Sequence, residues 1–259
     1  MLEKTKLQHD LKEFFTKQVG KEHVSEALRL SRLEWRLACF TIAQRYASYI
    51  RSQYFDMEKK QVLDLACGWG GHAMAFASEG ATVVCSDLAD YRISDLQSFA
   101  RERGVMLVGL RGDCQRLPFK DSSFDVILAL DVIEHIGSVS GLAGEVQRLL
   151  RPGGICLITS PPRLHSLIFG EPHWGLRGIT LFPLAGQRLI ATRLFRRTYP
   201  YPITRQYTLA SQLIKPFNVV GLKGIPSIIG RLGKILENRS LFRRTAQEFF
   251  WSFVVVSKS

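Results

Sequence analysis

The chain has 259 residues, of which 46% are hydrophobic and 22% are charged. This ordinary balance predicts a folded protein with one large domain, alone or with an appended subdomain, and excludes collagen, coiled-coil rods and long disordered arrays. Lysine and arginine number 35 against 23 acidic residues, and the net charge of +12 favours anionic partners such as phosphate groups, nucleic acid or an acidic membrane face.

The positive charge lies in the last third of the chain. Residues 1–162 carry 20 basic and 20 acidic side chains, whereas residues 163–259 carry 15 basic and three acidic ones. Arginines in this region alternate with aromatic residues, a combination that favours binding of phosphate or carboxylate groups. A solvated basic surface explains the same composition, so both interpretations stay open.

The sequence shows neither a signal peptide nor a membrane-spanning run, and its five cysteines lack a metal-binding spacing. We therefore expect buried thiols, no metal ion and a cytoplasmic location. Peripheral attachment to the inner face of the membrane is compatible with the basic region.

Hydrophobic periodicity predicts alternating helices and strands before residue 160. Residues 1–55 have the pattern of helices. The elements predicted beyond them are a strand at Gln61–Leu65, a helix at Gly71–Glu79, a strand at Thr82–Ser86, a helix that ends before Gly104, strands at Met106–Leu110 and Phe124–Leu130, a helix at Ser140–Leu150 and a strand at Ile155–Thr159. This order predicts βαβ units and a parallel sheet.

The last third of the chain is less regular. Six prolines interrupt residues 161–205, and an irregular segment of this length between strands is usually functional. Within it, Leu184–Phe195 has the pattern of a short helix that either lies on a membrane surface or covers a substrate pocket. Two further strands are predicted at Phe217–Leu222 and Phe249–Ser257.

A glycine-rich turn follows the first predicted strand and opens a helix. Gly68 and Gly70 leave backbone N–H groups accessible to a ligand at the positive end of that helix. Asp87, at the end of the second strand, is placed to bind ribose hydroxyls. Because Gly68-x-Gly70-x-x-Ala73 also suits a nicotinamide cofactor, the turn alone predicts a nucleotide-like ligand without identifying it.

Further motifs narrow the choice of ligand. The segments D-L-A-C-G-W-G-G, C-S-D, G-D-C-x-x-L-P-F, S-F-D-V-I-x-x-x-D-V-I-E-H and L-L-R-P-G-G occur in this order between residues 61 and 162. Together they resemble a class I S-adenosylmethionine-dependent methyltransferase of the type that modifies small molecules, glycans or quinones. The resemblance implies an α/β fold with a Rossmann-like, doubly wound sheet of seven strands, mostly parallel, ending in a C-terminal antiparallel hairpin.

The same resemblance implies S-adenosylmethionine as the cofactor and assigns roles to individual residues. Asp87 would bind both ribose hydroxyls, Asp113 would hold adenine, and Asp131 would lie beside the sulfonium. At the position of Ala66 the family often has glycine, which leaves more room for the backbone to approach a ligand. The implied cofactor contacts are Asp64, Ala66, Gly68, Gly70, Asp87, Leu88, Asp113, Cys114 and Asp131.

Four segments make up the predicted domain organisation. They are an N-terminal helical segment, 1–55, that covers the active site; a cofactor-binding core, 56–162; a basic and aromatic lid or substrate-binding insertion, 163–210; and C-terminal strands, 211–259, that complete the sheet.

Methyl transfer to a hydroxyl requires a group that accepts the proton, and three residues are the catalytic candidates. Glu134 and His135 follow the fourth strand, at the edge where open α/β sheets place their ligands, and His173 belongs to the predicted lid. A helix start explains Glu134 and His135 equally well, and a rigid turn explains the segment around His173. Substrate contacts are predicted for Arg163, His165, Glu171, His173 and Trp174.

The sequence thus predicts a methyltransferase that acts on an oxygen of a small-molecule, glycan or lipid-linked acceptor bearing anionic groups. One alternative is an RNA methyltransferase that uses the basic C-terminal third. Others are a cofactor-binding scaffold without catalysis and an NAD-dependent oxidoreductase, although the Tyr-x-x-x-Lys pair of short-chain dehydrogenases is absent.

Overall fold

The fold is taken from a computed structural model that describes residues 4–22, 26–160, 167, 173–197, 203–204 and 254–257. The chain divides into two compact units, Met1–Leu128 and Ala129–Ser259. The helices are α1 (Lys4–Gly20), α2 (Glu26–Gln53), α3 (Gly71–Ser78), α4 (Asp90–Glu102), α5 (Val139–Leu149) and α6 (Leu184–Arg193). The strands are β1 (Gln61–Leu65), β2 (Thr82–Asp87), β3 (Leu107–Arg111), β4 (Phe124–Leu130), β5 (Leu150–Thr159) and β6 (Val254–Ser257).

The first unit contains a parallel sheet with the strand order β3-β2-β1-β4. Leu63 in β1 pairs with Val84 of β2 on one side and with Ile127 of β4 on the other. Nearly all side chains of β1 and β4 are buried, which explains why these strands read as continuous apolar runs rather than alternating ones.

Helices of the first unit pack through apolar faces. In α1, Leu7, Leu11 and Phe15 recur at four-residue intervals and are fully buried, so one face of the helix contacts the core. Helix α2 packs against α3. A Cβ atom at Gly71 would lie only 3.0 Å from the backbone oxygen of Arg36, so this glycine allows the start of α3 to approach α2 closely.

The second unit begins with the last residues of β4, beside which β5 lies. Strand β6 pairs antiparallel with β5, with Val256 opposite Cys156. Helix α5 begins after Ser138, whose hydroxyl accepts a hydrogen bond of 3.0 Å from the backbone N–H of Gly141. A smaller apolar cluster around Trp174 brings together the loop before α6 and α6 itself.

The predicted α/β, Rossmann-like class with five parallel strands is confirmed. The seven-stranded sheet is not observed, because the residues that the structure describes form six strands, of which only β6 is antiparallel. The predicted strand Phe217–Leu222, and with it the hairpin, lies outside the described residues, as does all of segment 205–253. The four-segment domain organisation stays a prediction.

Candidate functional site

The turn between β1 and α3 has an unusual backbone. Ala66, Gly68 and Gly70 all have positive φ angles, of 54°, 55° and 76°. Backbone hydrogen bonds of 2.9 Å hold the turn in place: the N–H of Cys67 donates to the carbonyl of Ser86, and the N–H of Gly70 donates to the carbonyl of Cys67. The left-handed conformation favours glycine, so two of the three positions carry the expected residue type.

The two glycines have different surroundings. A Cβ atom at Gly70 would lie 2.2 Å from a methyl carbon of the buried Leu96, so this glycine is required for packing against α4. A Cβ atom at Gly68 would meet nothing within 4 Å. Gly68 therefore keeps a stretch of backbone accessible, as the predicted contact with a ligand requires.

Asp87 is fixed by the turn that it faces. One carboxylate oxygen accepts a hydrogen bond of 2.9 Å from the N–H of Gly68, and the other accepts one of 2.8 Å from the N–H of Ala89. Because a carboxylate oxygen has two lone pairs, acceptor capacity for ribose hydroxyls remains. The next residue, Leu88, is 66% exposed and offers an apolar surface beside this carboxylate.

Asp64 is a buried acid within β1. Its side chain is 1% exposed, and one carboxylate oxygen has no hydrogen-bond partner within the part of the chain that the structure describes. Burial raises the pKa of Asp64 to about 8, and the charge of Asp87 acts in the same direction, while a hydrogen bond from the N–H of Ala73 opposes both. A cationic ligand group would satisfy this oxygen and favour the ionised acid.

The segment after β3 supplies the predicted adenine contacts. Asp113 is exposed, and one of its carboxylate oxygens accepts a hydrogen bond of 2.9 Å from the N–H of Gln115, which fixes the orientation of the side chain. Cys114 is buried, and burial raises the pKa of its thiol to about 12, so the thiol stays neutral. The charge of Asp113 acts in the same direction as burial.

Helix α2 adds a residue that the sequence did not single out. The guanidinium of Arg36 lies 4.1 Å from the ring centroid of Trp69 in the glycine-rich turn, and it forms an ion pair with Glu22. Its Nη1 atom is buried and, among the described residues, has no hydrogen-bond acceptor. In the sequence, Arg36 is one of several arginines on an amphipathic helix, and no motif distinguishes it from the others.

These features of the first unit fit S-adenosylmethionine. The unpartnered oxygen of Asp64 suits the positive end of the methionine part, and Nη1 of Arg36 suits its carboxylate. Gly68 leaves room for the ligand, and Asp87 faces the turn with acceptor capacity for ribose. The other residues for which the resemblance implies contacts lie in the turn, at the end of β2 and in the segment after β3. They are Ala66, Gly70, Leu88, Asp113 and Cys114.

In the second unit, Asp131 follows β4 with a positive φ of 51°. Its N–H donates to the carbonyl of Thr159 at 3.1 Å, and the hydroxyl of Thr159 donates to its carboxylate at 2.8 Å. Burial raises the pKa of Asp131, while this hydroxyl and the charge of His173 oppose the effect. A left-handed conformation at a non-glycine residue is costly, and such residues concentrate at functional sites.

The three catalytic candidates lie together in the second unit. Nε2 of His135 lies 3.2 Å from Nε2 of His173, with the two rings nearly perpendicular, and Nε2 of His173 lies 3.9 Å from Oε1 of Glu134. Glu134 is 2% exposed, and its Oε2 accepts a hydrogen bond of 3.0 Å from the hydroxyl of Ser160. The structure therefore joins residues from the end of β4 and the predicted lid into one polar cluster.

Contacts from Thr204 fix the backbone of this cluster. Its N–H donates to the carbonyl of Glu134 at 2.7 Å, and its hydroxyl lies 2.9 Å from the carbonyls of Glu134 and Ile136. Neither Ser160 nor Thr204 was predicted as a site residue, because a lone hydroxyl residue carries no sequence signal.

The predicted substrate contacts are only partly described. Trp174 is buried against Ile179 and Ala191, so its ring stabilises the loop before α6. His173 joins the polar cluster instead. Arg163, His165 and Glu171 lie outside the described residues, and their roles stay predictions.

Comparisons with known proteins identify the central part of the chain. Residues 63–158 match a family model described as a methyltransferase domain. The sterol 24-C-methyltransferase of Schizosaccharomyces pombe is 31% identical over 134 residues, which cover 51% of this chain and 35% of that protein. A ubiquinone biosynthesis O-methyltransferase of Rickettsia canadensis is 30% identical over 115 residues, 44% of this chain and 48% of that protein. The match thus spans a third to a half of these relatives.

Solved structures agree on the fold. The [4+2]-cyclase SpnF superimposes with a TM-score of 0.52 at 17% identity, covering 83% of this chain and 80% of that one. A chain of the complex between the Haloferax volcanii Trm112 methyltransferase activator and a methyltransferase gives a TM-score of 0.54 at 14% identity, covering 92% and 100%. At these identities the likeness concerns the fold alone.

Proposed function

We propose that the protein is a class I S-adenosylmethionine-dependent methyltransferase that transfers a methyl group from this cofactor to an acceptor oxygen, because residues 63–158 match a methyltransferase domain. The domain explains the choice of cofactor. The choice of an oxygen acceptor depends on this chain's own side chains, since the two relatives are named for C- and O-methylation respectively.

When bound, S-adenosylmethionine supplies an electrophilic methyl carbon, to which the acceptor oxygen forms a bond while the sulfur keeps the electron pair of the bond that breaks. The chain's own contribution is to align the two reactants and exclude water. In the first unit, the open backbone at Gly68 and the fixed carboxylate of Asp87 bind and orient the cofactor.

One observation carries the proposal of an oxygen acceptor: the pairing of His135 and His173 beside Glu134. A hydroxyl that becomes an ether or ester oxygen must lose its proton, and the cluster binds that hydroxyl and removes the proton. The contacts from Ser160 and Thr204 hold Glu134 and the backbone around it in place for this task.

The test follows labelled methyl groups from S-adenosylmethionine into lipid and aqueous extracts of cells, and identifies the methylated atom by mass spectrometry. We expect an O-methylated product. The His135→Ala variant should lose about 100-fold or more in rate while it binds S-adenosylhomocysteine normally. Products methylated only on nitrogen or carbon, or an unchanged rate in the variant, would contradict the proposal.

We further propose that the acceptor carries anionic groups and is presented at an acidic membrane surface. Five large apolar side chains between residues 181 and 195 are exposed, namely Leu181, Phe182, Leu189, Leu194 and Phe195. Residues 173–197 contain five arginines and no acidic residue. Apolar side chains next to arginines suit the boundary between acyl chains and anionic headgroups.

Two further findings bear on this proposal. No helix within the described ranges combines the length and the apolar character needed to cross a bilayer. Two relatives are named for sterol methylation and for ubiquinone biosynthesis, and an exposed apolar surface such as residues 181–195 suits acceptors of that apolar kind.

Flotation with vesicles tests the membrane contact. We expect binding to vesicles that contain phosphatidylglycerol at low salt, weaker binding as salt rises, and little binding to phosphatidylcholine alone. A Leu189→Ser, Arg193→Ser double variant should lose binding, whereas Leu30→Ser, which removes an exposed leucine from α2, should not. Absence of binding at low salt would contradict the proposal, and salt-sensitive binding to RNA instead would favour an RNA acceptor.

A further inference from the structure

The cluster of Glu134, His135 and His173 has the composition of a metal site. One ligand atom from each residue lies within 4.8 Å of the ligand atoms of the other two. Two imidazoles and one carboxylate form a donor set typical of divalent transition-metal ions. Glu134 and His135 are neighbours, but His173 lies 38 residues beyond His135, so no short sequence motif identifies these three residues as metal ligands.

The distance between the imidazoles fits a shared ion. In a tetrahedral zinc site with Zn–N bonds of about 2.0–2.1 Å, two ligand nitrogens are about 3.3 Å apart. The two Nε2 atoms of this pair are 3.2 Å apart. Oε1 of Glu134 lies 3.9 Å from Nε2 of His173, and all three ligand atoms lie within 4.8 Å of one another, so a movement of the carboxylate brings it to the same ion. We propose that Glu134, His135 and His173 bind one divalent transition-metal ion.

The surroundings of the three residues suit ligands of a metal. The side chains of Glu134 and His173 are 2% and 8% exposed, so both are shielded from competing water. The hydroxyl of Ser160 orients the carboxylate, and Thr204 fixes the backbone at Glu134. Such outer contacts orient ligands and contribute to metal affinity.

A bound ion would have a chemical role in the proposed methyl transfer, and this part of the inference rests on that proposed function. A divalent ion with three protein ligands keeps a position for another oxygen. A hydroxyl that coordinates there becomes more acidic, and its proton passes to bulk water while the oxygen stays on the metal as an anion. With the ion bound, the imidazoles would act as ligands, and the cluster would promote loss of the hydroxyl proton through the metal rather than by accepting it on an imidazole.

The experiment measures metal binding without cofactor or acceptor. The full chain is stripped with a chelator and titrated with Zn²⁺ in a calorimeter, and with Co²⁺ while its visible absorption is recorded. We expect one ion per chain and the intense absorption of low-coordinate Co²⁺. His135→Ala and His173→Ala should each lower the affinity about 100-fold or more, and Ser160→Ala about tenfold, since outer contacts typically contribute 10–100-fold.

The control is His9→Ala, which removes an exposed histidine in α1 and should leave the affinity unchanged. Wild-type protein that binds less than one ion per chain would overturn the inference, and so would tight binding that survives in His135→Ala. The first of these results is measured on the wild-type protein, so it does not depend on whether a variant folds. A protein that binds the ion but methylates no oxygen would refute the proposed function and leave the metal site standing.

Discussion

At the scale of single residues, Ala66 shows how the chain departs from the pattern of the family that it resembles. The residue has a φ of 54°, in the region that a Cβ atom disfavours. Its position directly after β1 explains why a glycine is common there among proteins that the sequence resembles. The sequence shows that alanine stands where glycine is usual, but only the fold shows that the backbone at this position is left-handed and strained.

Replacement of Ala66 by glycine should therefore stabilise the protein by up to about 1 kcal/mol, because the strain is relieved. The free energy of unfolding, measured by urea denaturation, checks this expectation. Ala77→Gly in the last turn of α3 is the control, since glycine in a helix should cost up to about 1 kcal/mol. Equal destabilisation by both changes would contradict the assigned conformation.

Asp64 should make stability depend on pH. Its pKa in the folded protein, about 8, exceeds its ordinary value of 3.8, so its contribution is fully present below pH 3.8 and is lost as the pH rises through 8. Between these values stability should fall by up to about 1.4 kcal/mol per pH unit from this group. Asp64→Asn should flatten the profile measured by urea denaturation from pH 5 to pH 9. A profile that is the same in both proteins would contradict the assignment.

At the scale of elements, the link from β1 through the glycine-rich turn to α3 combines packing and binding. Gly70 is required because Leu96 of α4 occupies the space of a side chain, whereas nothing of the protein occupies that space at Gly68. Both glycines belong to one motif, and the sequence gives no sign of the difference. Only the position of α4 separates their roles.

The two positions should respond differently to alanine. Gly70→Ala should destabilise the fold by about 1 to 3 kcal/mol, since the new methyl group overlaps Leu96. Gly68→Ala should cost only about 1 kcal/mol of strain but should weaken binding of S-adenosylhomocysteine markedly. Thermal unfolding and calorimetry measure the two effects. The distinction fails if Gly68→Ala binds as tightly as the wild type.

Element prediction from the sequence succeeded best for the buried apolar runs of the central strands. Strands β1 and β4 begin and end at the predicted residues, and most other boundaries differ by one or two residues. Strand β5 instead begins at Leu150, five residues before the predicted start at Ile155. Local patterns identify buried elements well, but hydrogen bonding to neighbouring strands determines where they begin.

At the scale of the whole molecule, the predicted cofactor residues and the polar cluster differ in how directly the sequence brings them together. The cofactor residues follow consecutive strands of one sheet, so chain order alone brings the turn and Asp87 together. The contact between His135 and His173 joins segments 38 residues apart across an irregular, proline-rich stretch. No periodicity encodes such a contact, and the metal-binding composition of the cluster was missed for this reason.

The proposed methyl transfer requires a cofactor held by the glycine-rich turn and Asp87. Calorimetry with S-adenosylhomocysteine and with NAD, on the wild type, Asp87→Ala and the surface control Asp95→Ala, tests this claim most directly. We expect the wild type and Asp95→Ala to bind S-adenosylhomocysteine at one site and not NAD, and Asp87→Ala to lose at least about tenfold in affinity, because charge-assisted hydrogen bonds to ribose are removed. Binding of NAD in place of S-adenosylhomocysteine, or equal affinity in all three proteins, would contradict the account.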